Sequence, residues 1–365
     1  MIRNNRSLLW VTFAALLAII GYWYVPSGGQ DSEDQQERYR VSAEEAAKYI
    51  HNVIQANRTV YTKHVVERLQ DQGVVTAEEQ WDHQKALPLP AQVLMYAGLL
   101  ASETGGGIQY RLASLWPIHA RNGPASEFEH RGLEAVAKDP NRPYTGLTQS
   151  GEGYLFKAVY ADRAVSKVCV SCHNAHKLSP KKDYKLNDVM GGIVITFPVE
   201  KSGDDARVTP EAVADYVHTV IEADRTVYAK LVVDRLQEQG VVRAEEQWEK
   251  KKALPLPAQT LLYSGQLAEK NNGGLEYRLA SLWPIYPRNG PATDFEQQGL
   301  QAVAKDPRQP YTGLLISGQQ LIFKAVYADK AVTNACVTCH NGHKLSARKD
   351  YRLNDVMGGI IISFP

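Results

Sequence analysis

The stretch DVMGGIVITFP, Asp188 to Pro198, returns almost unchanged as DVMGGIIISFP, Asp355 to Pro365. Each reads as a β-strand, GGIVITF over Gly191–Phe197 in the first case, because β-branched and aromatic residues run together without a breaker. Working outward from these strands at the same offset of 167 positions, Val41–Pro198 aligns with Val208–Pro365 without a gap. Roughly two-thirds of the aligned pairs are identical, so the chain is a tandem duplication. A period of this length is far too long for a solenoid repeat, and each copy predicts a separate domain with its own core. The joint VEKSGDDAR, residues 199–207, is short and polar and reads as a linker that leaves the two domains touching.

Within a copy, SAEE at Ser42–Glu45 is a capping box, and Tyr49, Ile50, Val53, Ile54, Val60, Tyr61, Val65 and Leu69 recur at helical spacing behind it. Thr209 followed by Pro210 opens the second copy in the same way. Gly73 ends this long helix, a shorter one is expected near Ala77–Lys85, and LPLP at Leu87–Pro90 breaks the chain before another helix toward Glu103. Tyr110–Leu115 and Tyr154–Tyr160 read as strands and Ser126–Lys138 as a helix. Helices followed by strands without βα alternation predict an α+β class with antiparallel sheets.

The 365 residues carry 41 Lys plus Arg against 40 Asp plus Glu, so no net field favours nucleic acid. Four cysteines are far too few for a disulfide-stapled scaffold. Near the N-terminus, Arg3 and Arg6 precede an uncharged stretch from Leu8 to Val25 that closes on Tyr22, Trp23 and Tyr24. About 18 such residues reach the short end of what spans a hydrocarbon core. Bulky aromatics at the flank favour an uncleaved anchor, residues 1–26, over a signal peptide with a small-residue cleavage site. The positive-inside rule then leaves the N-terminus in the cytoplasm and places everything after Pro26 outside, in a bacterium the periplasm. Residues 27–40 are polar and Gln/Asp/Glu-rich, and read as a flexible stalk before domain 41–198 and domain 208–365.

All four cysteines fall in two CxxCH pentapeptides, Cys169-Val-Ser-Cys172-His173 and Cys336-Val-Thr-Cys339-His340. This is the signature of covalent c-type haem attachment. Two thiols on one turn can add to the two vinyl groups of one porphyrin, and the adjacent imidazole then serves as proximal iron ligand. The expectation is two haem c groups, held by Cys169, Cys172, Cys336 and Cys339, with His173 and His340 on the iron. A redox CxxC would want a thioredoxin-like context, and a zinc site using His173 and His176 as well would crowd its ligands.

A distal ligand used in both domains must occur in both copies, which leaves His51/His218, His176/His343, Met190/Met357 and Tyr61/Tyr228. His176 and His343 lie three residues past the proximal histidine, too near to cross to the opposite face. Met190 and Met357 offer a soft thioether or simply core sulfur. His51 and His218 sit on the flank of the first helix's apolar stripe, where a helix can present an imidazole to a pocket, or can hold a structural histidine. Arg111/Arg278, Arg121/Arg288 and Lys177/Lys344 recur in both copies and could pair with propionates.

Each domain resembles the PAS-like c-type haem domains, long catalogued as a domain of unknown function, found as small exported cytochromes or joined to signalling modules such as histidine kinases. The resemblance rests on LPLPAQ at Leu87–Gln92 and Leu254–Gln259, and on SLWPI followed by RNGPA over Ser114–Ala125 and Ser281–Ala292. Glu129 and Glu296, CxxCH, and DVMGGI at Asp188–Ile193 and Asp355–Ile360 complete it. It implies a five-stranded-type antiparallel sheet carrying helices, with haem at the CxxCH edge. Some relatives are similar to cytochromes with a distal cysteine, which this chain cannot supply. The function expected is a membrane-anchored periplasmic dihaem cytochrome passing single electrons to periplasmic or membrane redox partners. The alternative is a haem-based redox or gas sensor acting through a membrane partner. No Ser/His/Asp arrangement, phosphate loop or second metal motif argues for an enzyme.

Overall fold

A computed structural model describes residues 23–24 and 39–365, apart from 105, 204, 272 and 273. The anchor expected over residues 1–26 and most of the stalk expected over 27–40 lie outside the described residues, Trp23 and Tyr24 excepted. Among the described residues no helix is long and apolar enough to cross a membrane.

The chain forms two tandem domains of similar size, α+β with antiparallel sheets. In the first, α1 (Ala43–Val60) starts at the Ser42 N-cap, whose hydroxyl accepts from the Glu45 amide at 3.2 Å. It continues through a π-helical stretch, Tyr61–Glu67, and a last turn, Arg68–Asp71, before Gly73 at φ +63° turns the chain. The helix expected over Ala77–Lys85 is instead a two-residue strand pairing, Ala77–Glu78 with Leu87–Pro88, around a short 3-10 turn at Trp81–His83. Trp81 is buried there, and its burial outweighs the local helical pattern. After α2 (Pro90–Thr104) come β1 (Gln109–Ala113), α3 (Glu127–Lys138), β2 (Tyr144–Ser150), β3 (Gly153–Arg163), α4 (Lys167–Ala175) and β4 (Val189–Ser202). The strand order is β2-β3-β4-β1, all antiparallel.

Gly191 and Gly192 of the repeated stretch let β4 lie close against its neighbours: a Cβ on Gly191 would meet the Ala113 carbonyl oxygen at 2.3 Å. The residues between the copies are not a free linker. Strand β4 runs on to Ser202, and β5 (Asp205–Val208) folds back on it, with Glu200 opposite Arg207; β5 also pairs with Val41–Ser42. The start of the first domain and the start of the second are thereby hydrogen-bonded to one ladder.

The second domain repeats the plan with α5 (Pro210–Val227), α6 (Pro257–Lys270), β6 (Glu276–Ala280), α7 (Asp294–Lys305), β7 (Tyr311–Ser317), β8 (Gln320–Lys330), α8 (Asn334–Gly342) and β9 (Val356–Phe364). Its order is β7-β8-β9-β6, with Trp23–Tyr24 antiparallel to β7 at the edge.

The expectation of a separate core in each domain does not hold. One hydrophobic cluster runs through both, from Tyr49, Ile50 and Phe197 to Val217, Val220 and Phe364. Helices α1 and α5 cause this, because each buries one side on its own sheet and another on the helices of the other copy: α1 meets α6 and α5 meets α2. Smaller clusters under α3 (Leu133, Val136) and α7 (Leu300, Val303) fill the opposite faces of the two sheets.

Equivalent residues meet across this joint, so the domains are related by a pseudo-twofold axis. Arg68 donates to the carbonyls of Trp248 (3.3 Å), Lys251 (3.2 Å) and Ala253, with its guanidinium carbon 4.7 Å from the Trp248 ring centre. Arg235 does the same to Trp81, Gln84 and Ala86, over the Trp81 ring. Tyr61 and Tyr228 meet edge to face at 6.3 Å, and Asn57 donates to Asp224 at 2.6 Å. These pairs line or adjoin a cavity of about 40 Å³ between the domains.

At the axis Asp224 is pushed up to about 7 by burial, against the Asn57 hydrogen bond that favours its charged form. An unfolded aspartate releases its proton near pH 4, so the folded state binds the extra proton between about pH 4 and 7 and loses stability as pH rises through that window. Asp224→Asn is expected to match the parent near pH 4. At pH 8 it should exceed the parent by about 1–2 kcal/mol, a figure reduced because the site is only partly closed to solvent; urea unfolding at the two pH values checks this.

Candidate functional site

Strand β3 ends in a bulge at Asp162/Arg163, which breaks the ladder and re-aims Asp162. Helix α4 begins a few residues later, behind the buried Ser166 N-cap, whose hydroxyl accepts from the Val168 amide at 3.1 Å. Cys169, Cys172 and His173 stand at i, i+3 and i+4 of this helix and therefore on one face. The second domain repeats the arrangement, with a bulge at Asp329/Lys330 and Cys336, Cys339 and His340 on α8.

All four thiols are free and partly buried. Burial pushes Cys169, Cys172 and Cys339 above the ordinary thiol range, so they are protonated at neutral pH. The two histidines are held neutral: burial lowers His173, helped by Arg58 and His176, and burial lowers His340 despite Asp329. Each ring stands edge-on to a tyrosine, Tyr184 or Tyr351, at 5.8 Å, and each Nδ1 is enclosed without a hydrogen-bond partner.

The loop behind each helix is braced by an asparagine on the helix itself. Asn174 donates to the Tyr184 carbonyl at 2.9 Å and accepts from its amide at 3.0 Å; Asn341 does the same for Tyr351. Asn187 and Asn354, both near φ +70°, supply the left-handed residue that returns the chain to β4 and β9. No residue of α4 or α8 is fully buried, and the adjoining loops leave Leu178, Leu186, Leu345 and Leu353 exposed.

The other residues singled out in the sequence separate into groups. Met190 joins Ala164 and Tyr184 in a small buried cluster with Cys169, and Met357 joins Ala331 and Tyr351 with Cys336. Each methionine is therefore buried sulfur packed beside the CxxCH helix. His51 stacks on Tyr160 of β3 at 4.0 Å, and His218 on Tyr327 of β8 at 4.0 Å. Their Nε2 atoms are enclosed and unpartnered. Burial pushes His51 down to about 4 and His218 to about 3, the latter aided by Arg225 and Lys330, so both imidazoles are neutral. Tyr61 and Tyr228 belong to the domain joint instead, donating to the carbonyls of Pro88 and Pro255 at 2.7 Å.

Arg111 and Arg278 are already engaged. Arg111 pairs with Glu129 at 2.5 Å and donates to the Gly123 carbonyl at 2.9 Å, while Glu129 also accepts from the Ala125 amide at 2.7 Å. Arg278 pairs with Glu296, which also takes Lys324 at 3.1 Å. The motif glutamates thus brace the SLWPI–RNGPA loop. His176 and His343 cap the ends of α4 and α8 and face Glu79 at 3.4 Å and Glu246 at 3.3 Å.

Two buried arginines were missed in the sequence. Arg58, two helical turns beyond His51 on α1, pairs with Asp162 at 2.7 Å, with both side chains under a tenth exposed. Burial raises the Asp162 carboxyl, and Arg58 counters it. The same pair influences the Cys169 thiol, so it lies beside the CxxCH helix. Arg225 pairs with Asp329 and with Glu222 at 3.1 Å, and donates to the Lys330 carbonyl at 2.8 Å. The available signal was the recurrence of R-T-V-Y in both copies at Arg58 and Arg225, positions that interrupt an apolar helix face.

Each domain thus presents one face of a CxxCH helix carrying two thiols and an imidazole, backed by a buried arginine–aspartate pair. The chain belongs to the Tll0287-like family, which matches residues 35–198 and again 204–365. Comparison with curated proteins and with solved structures found no match.

Arg58→Leu leaves Asp162 enclosed without its counter-ion and is expected to cost about 3–5 kcal/mol of unfolding free energy. Arg58→Leu combined with Asp162→Leu should recover most of it. Denaturant unfolding of the three variants against the parent measures the coupling.

Proposed function

We propose that each domain binds haem c through its CxxCH helix, and that the protein is a dihaem cytochrome that passes single electrons. One observation carries this reading. In both copies two unpaired thiols and a neutral imidazole share a helix face, and the imidazole has an enclosed nitrogen without a partner. The surroundings fit the group: thiols only partly buried, and uncovered leucines alongside. The antiparallel order, with the first strand against the last, supports the PAS-like class that the sequence motifs resemble.

Cys169 and Cys172 would each hold the porphyrin through a thioether, an attachment in which S–H adds across one vinyl group and no oxidant is needed. Cys336 and Cys339 would do the same in the second domain. His173 and His340 would hold the iron. Haem c supplies a one-electron Fe(III)/Fe(II) couple when bound. As a second residue that would hold the iron, His51 and His218 are favoured over Met190 and Met357. Their Nε2 atoms are neutral and unsatisfied, whereas the methionines pack on the tyrosine that also meets the proximal ring. The Arg58–Asp162 pair beside the attachment helix keeps charge balanced next to the thioethers. Export ahead of residue 41, a membrane anchor in the first 26 residues and redox partners outside the cytoplasm complete the proposal.

Expression with a complete cytochrome maturation system should yield a red protein with a Soret band and the added mass of two haems. Cys169→Ala with Cys172→Ala should remove one haem and leave the other. A colourless product of bare polypeptide mass overturns the reading.

Electron paramagnetic resonance of the loaded ferric protein tests the sixth ligand. His51→Ala and His218→Ala are each expected to convert one low-spin signal to high spin. Unchanged spectra in both variants would remove these histidines from the iron.

A further inference from the structure

The two attachment sites correspond position by position in the sequence, yet their charges differ. In the first domain Arg58 is balanced by Asp162 alone, and the neighbouring position on α1 is Gln55, whose Oε1 is enclosed without a partner. In the second domain the equivalent of Gln55 is Glu222, and its carboxylate reaches Arg225 at 3.1 Å alongside Asp329. With Glu222 ionised the second group carries one more negative charge than the first; burial raises this carboxyl, while Arg225 and Lys330, whose counterpart in the first domain is Arg163, favour its charged form. Burial opposes the Arg225 charge, but Asp329, Glu222 and the Cys336 thiol together hold it above the ordinary range, so this triad lies within electrostatic reach of the thiol that attaches the porphyrin.

Two further substitutions point the same way. Lys48 becomes Asp215, which accepts from the hydroxyl of Tyr327 at 2.6 Å, the ring that stacks on His218. Lys167, the first residue of α4, becomes Asn334 on α8. Both Lys48 and Asp215 are exposed and therefore screened, which leaves Glu222 as the principal difference.

An additional negative charge beside an iron porphyrin stabilises the ferric over the ferrous state and lowers the potential. We propose that the two sites are tuned apart by Glu222, with the haem of domain 208–365 at the lower potential and that of domain 41–198 at the higher. At equilibrium a single electron would then rest on the first domain. Glu222 is a tuning residue that acts through its field and touches no reacting atom. This inference rests on the haem reading above.

The test is an optical redox titration of the full chain loaded with both haems. Two separate one-electron waves are expected. Loaded variants lacking one attachment site, Cys169→Ala with Cys172→Ala or Cys336→Ala with Cys339→Ala, assign the lower wave to the second domain. Glu222→Gln should move the lower wave upward and narrow the gap, Glu222→Asp should largely retain it, and Gln55→Glu should pull the upper wave down. Gln55→Glu keeps the test open if Glu222→Gln does not fold. Two haems titrating as one unsplit wave, a reversed order, or midpoints indifferent to both charge changes overturn the tuning while leaving haem attachment standing. A protein without a Soret band overturns the haem reading, and the tuning falls with it.

Discussion

Helices α1 and α5 serve two cores at once, and the arrangement of both sites depends on that double duty. An ordinary surface helix buries one stripe and leaves the other side to water. Here the first helix of each copy lies on its own sheet and also against the second helix of the other copy, so its charged residues are pressed into the interior. Arg58 and Arg225 are buried for this reason, and each is tolerable only because a bulged strand delivers an aspartate to it. A buried guanidinium without that partner would cost several kcal/mol. The pair and the bulge are therefore one device, and it fixes where the CxxCH helix leaves the sheet.

The pseudo-twofold axis shows what duplication makes possible. In a pairing of identical domains every residue on the axis meets its own copy. The tyrosines still do so, as Tyr61 against Tyr228, but the Asn57–Asp224 pair does not. Asn57 donates and Asp224 accepts, an arrangement in which one buried carboxylate replaces the two like charges that a pair of aspartates would bring together. The same freedom applies at Gln55 and Glu222. Once both domains sit on one chain, positions related by symmetry can carry different charges, and the two sites can acquire different properties without a change of fold.

Several motif residues that look chemical are structural. Glu129 and Glu296 brace a loop through arginine and backbone amides. Gln92 of LPLPAQ accepts from the Leu89 amide at 2.9 Å and donates to the Glu79 carbonyl at 2.8 Å. Glu79 then reaches back to His119 and His176, so one chain of polar contacts joins the proline motif, the SLWPI loop and the end of α4. The motifs recur together because they hold one another, and the CxxCH helix is the part they position.

The repeat, the α+β class, the helix caps at Ser42 and Thr209 and the CxxCH pentapeptides were legible in the sequence, because each is set by neighbours within a few residues or by an offset that can be counted. Placement of Cys169, Cys172 and His173 on one face followed from helical spacing alone. The strand at Tyr144–Ser150 escaped because its polar and glycine residues carry little β signal until β3 pairs with it. The shared core, the buried arginines and the stacking of His51 on Tyr160 were decided only by tertiary structure. They depend on which helix of one copy meets which helix of the other and on a bulge that turns one aspartate inward, and contacts between residues a hundred or more positions apart leave no periodic trace in the chain.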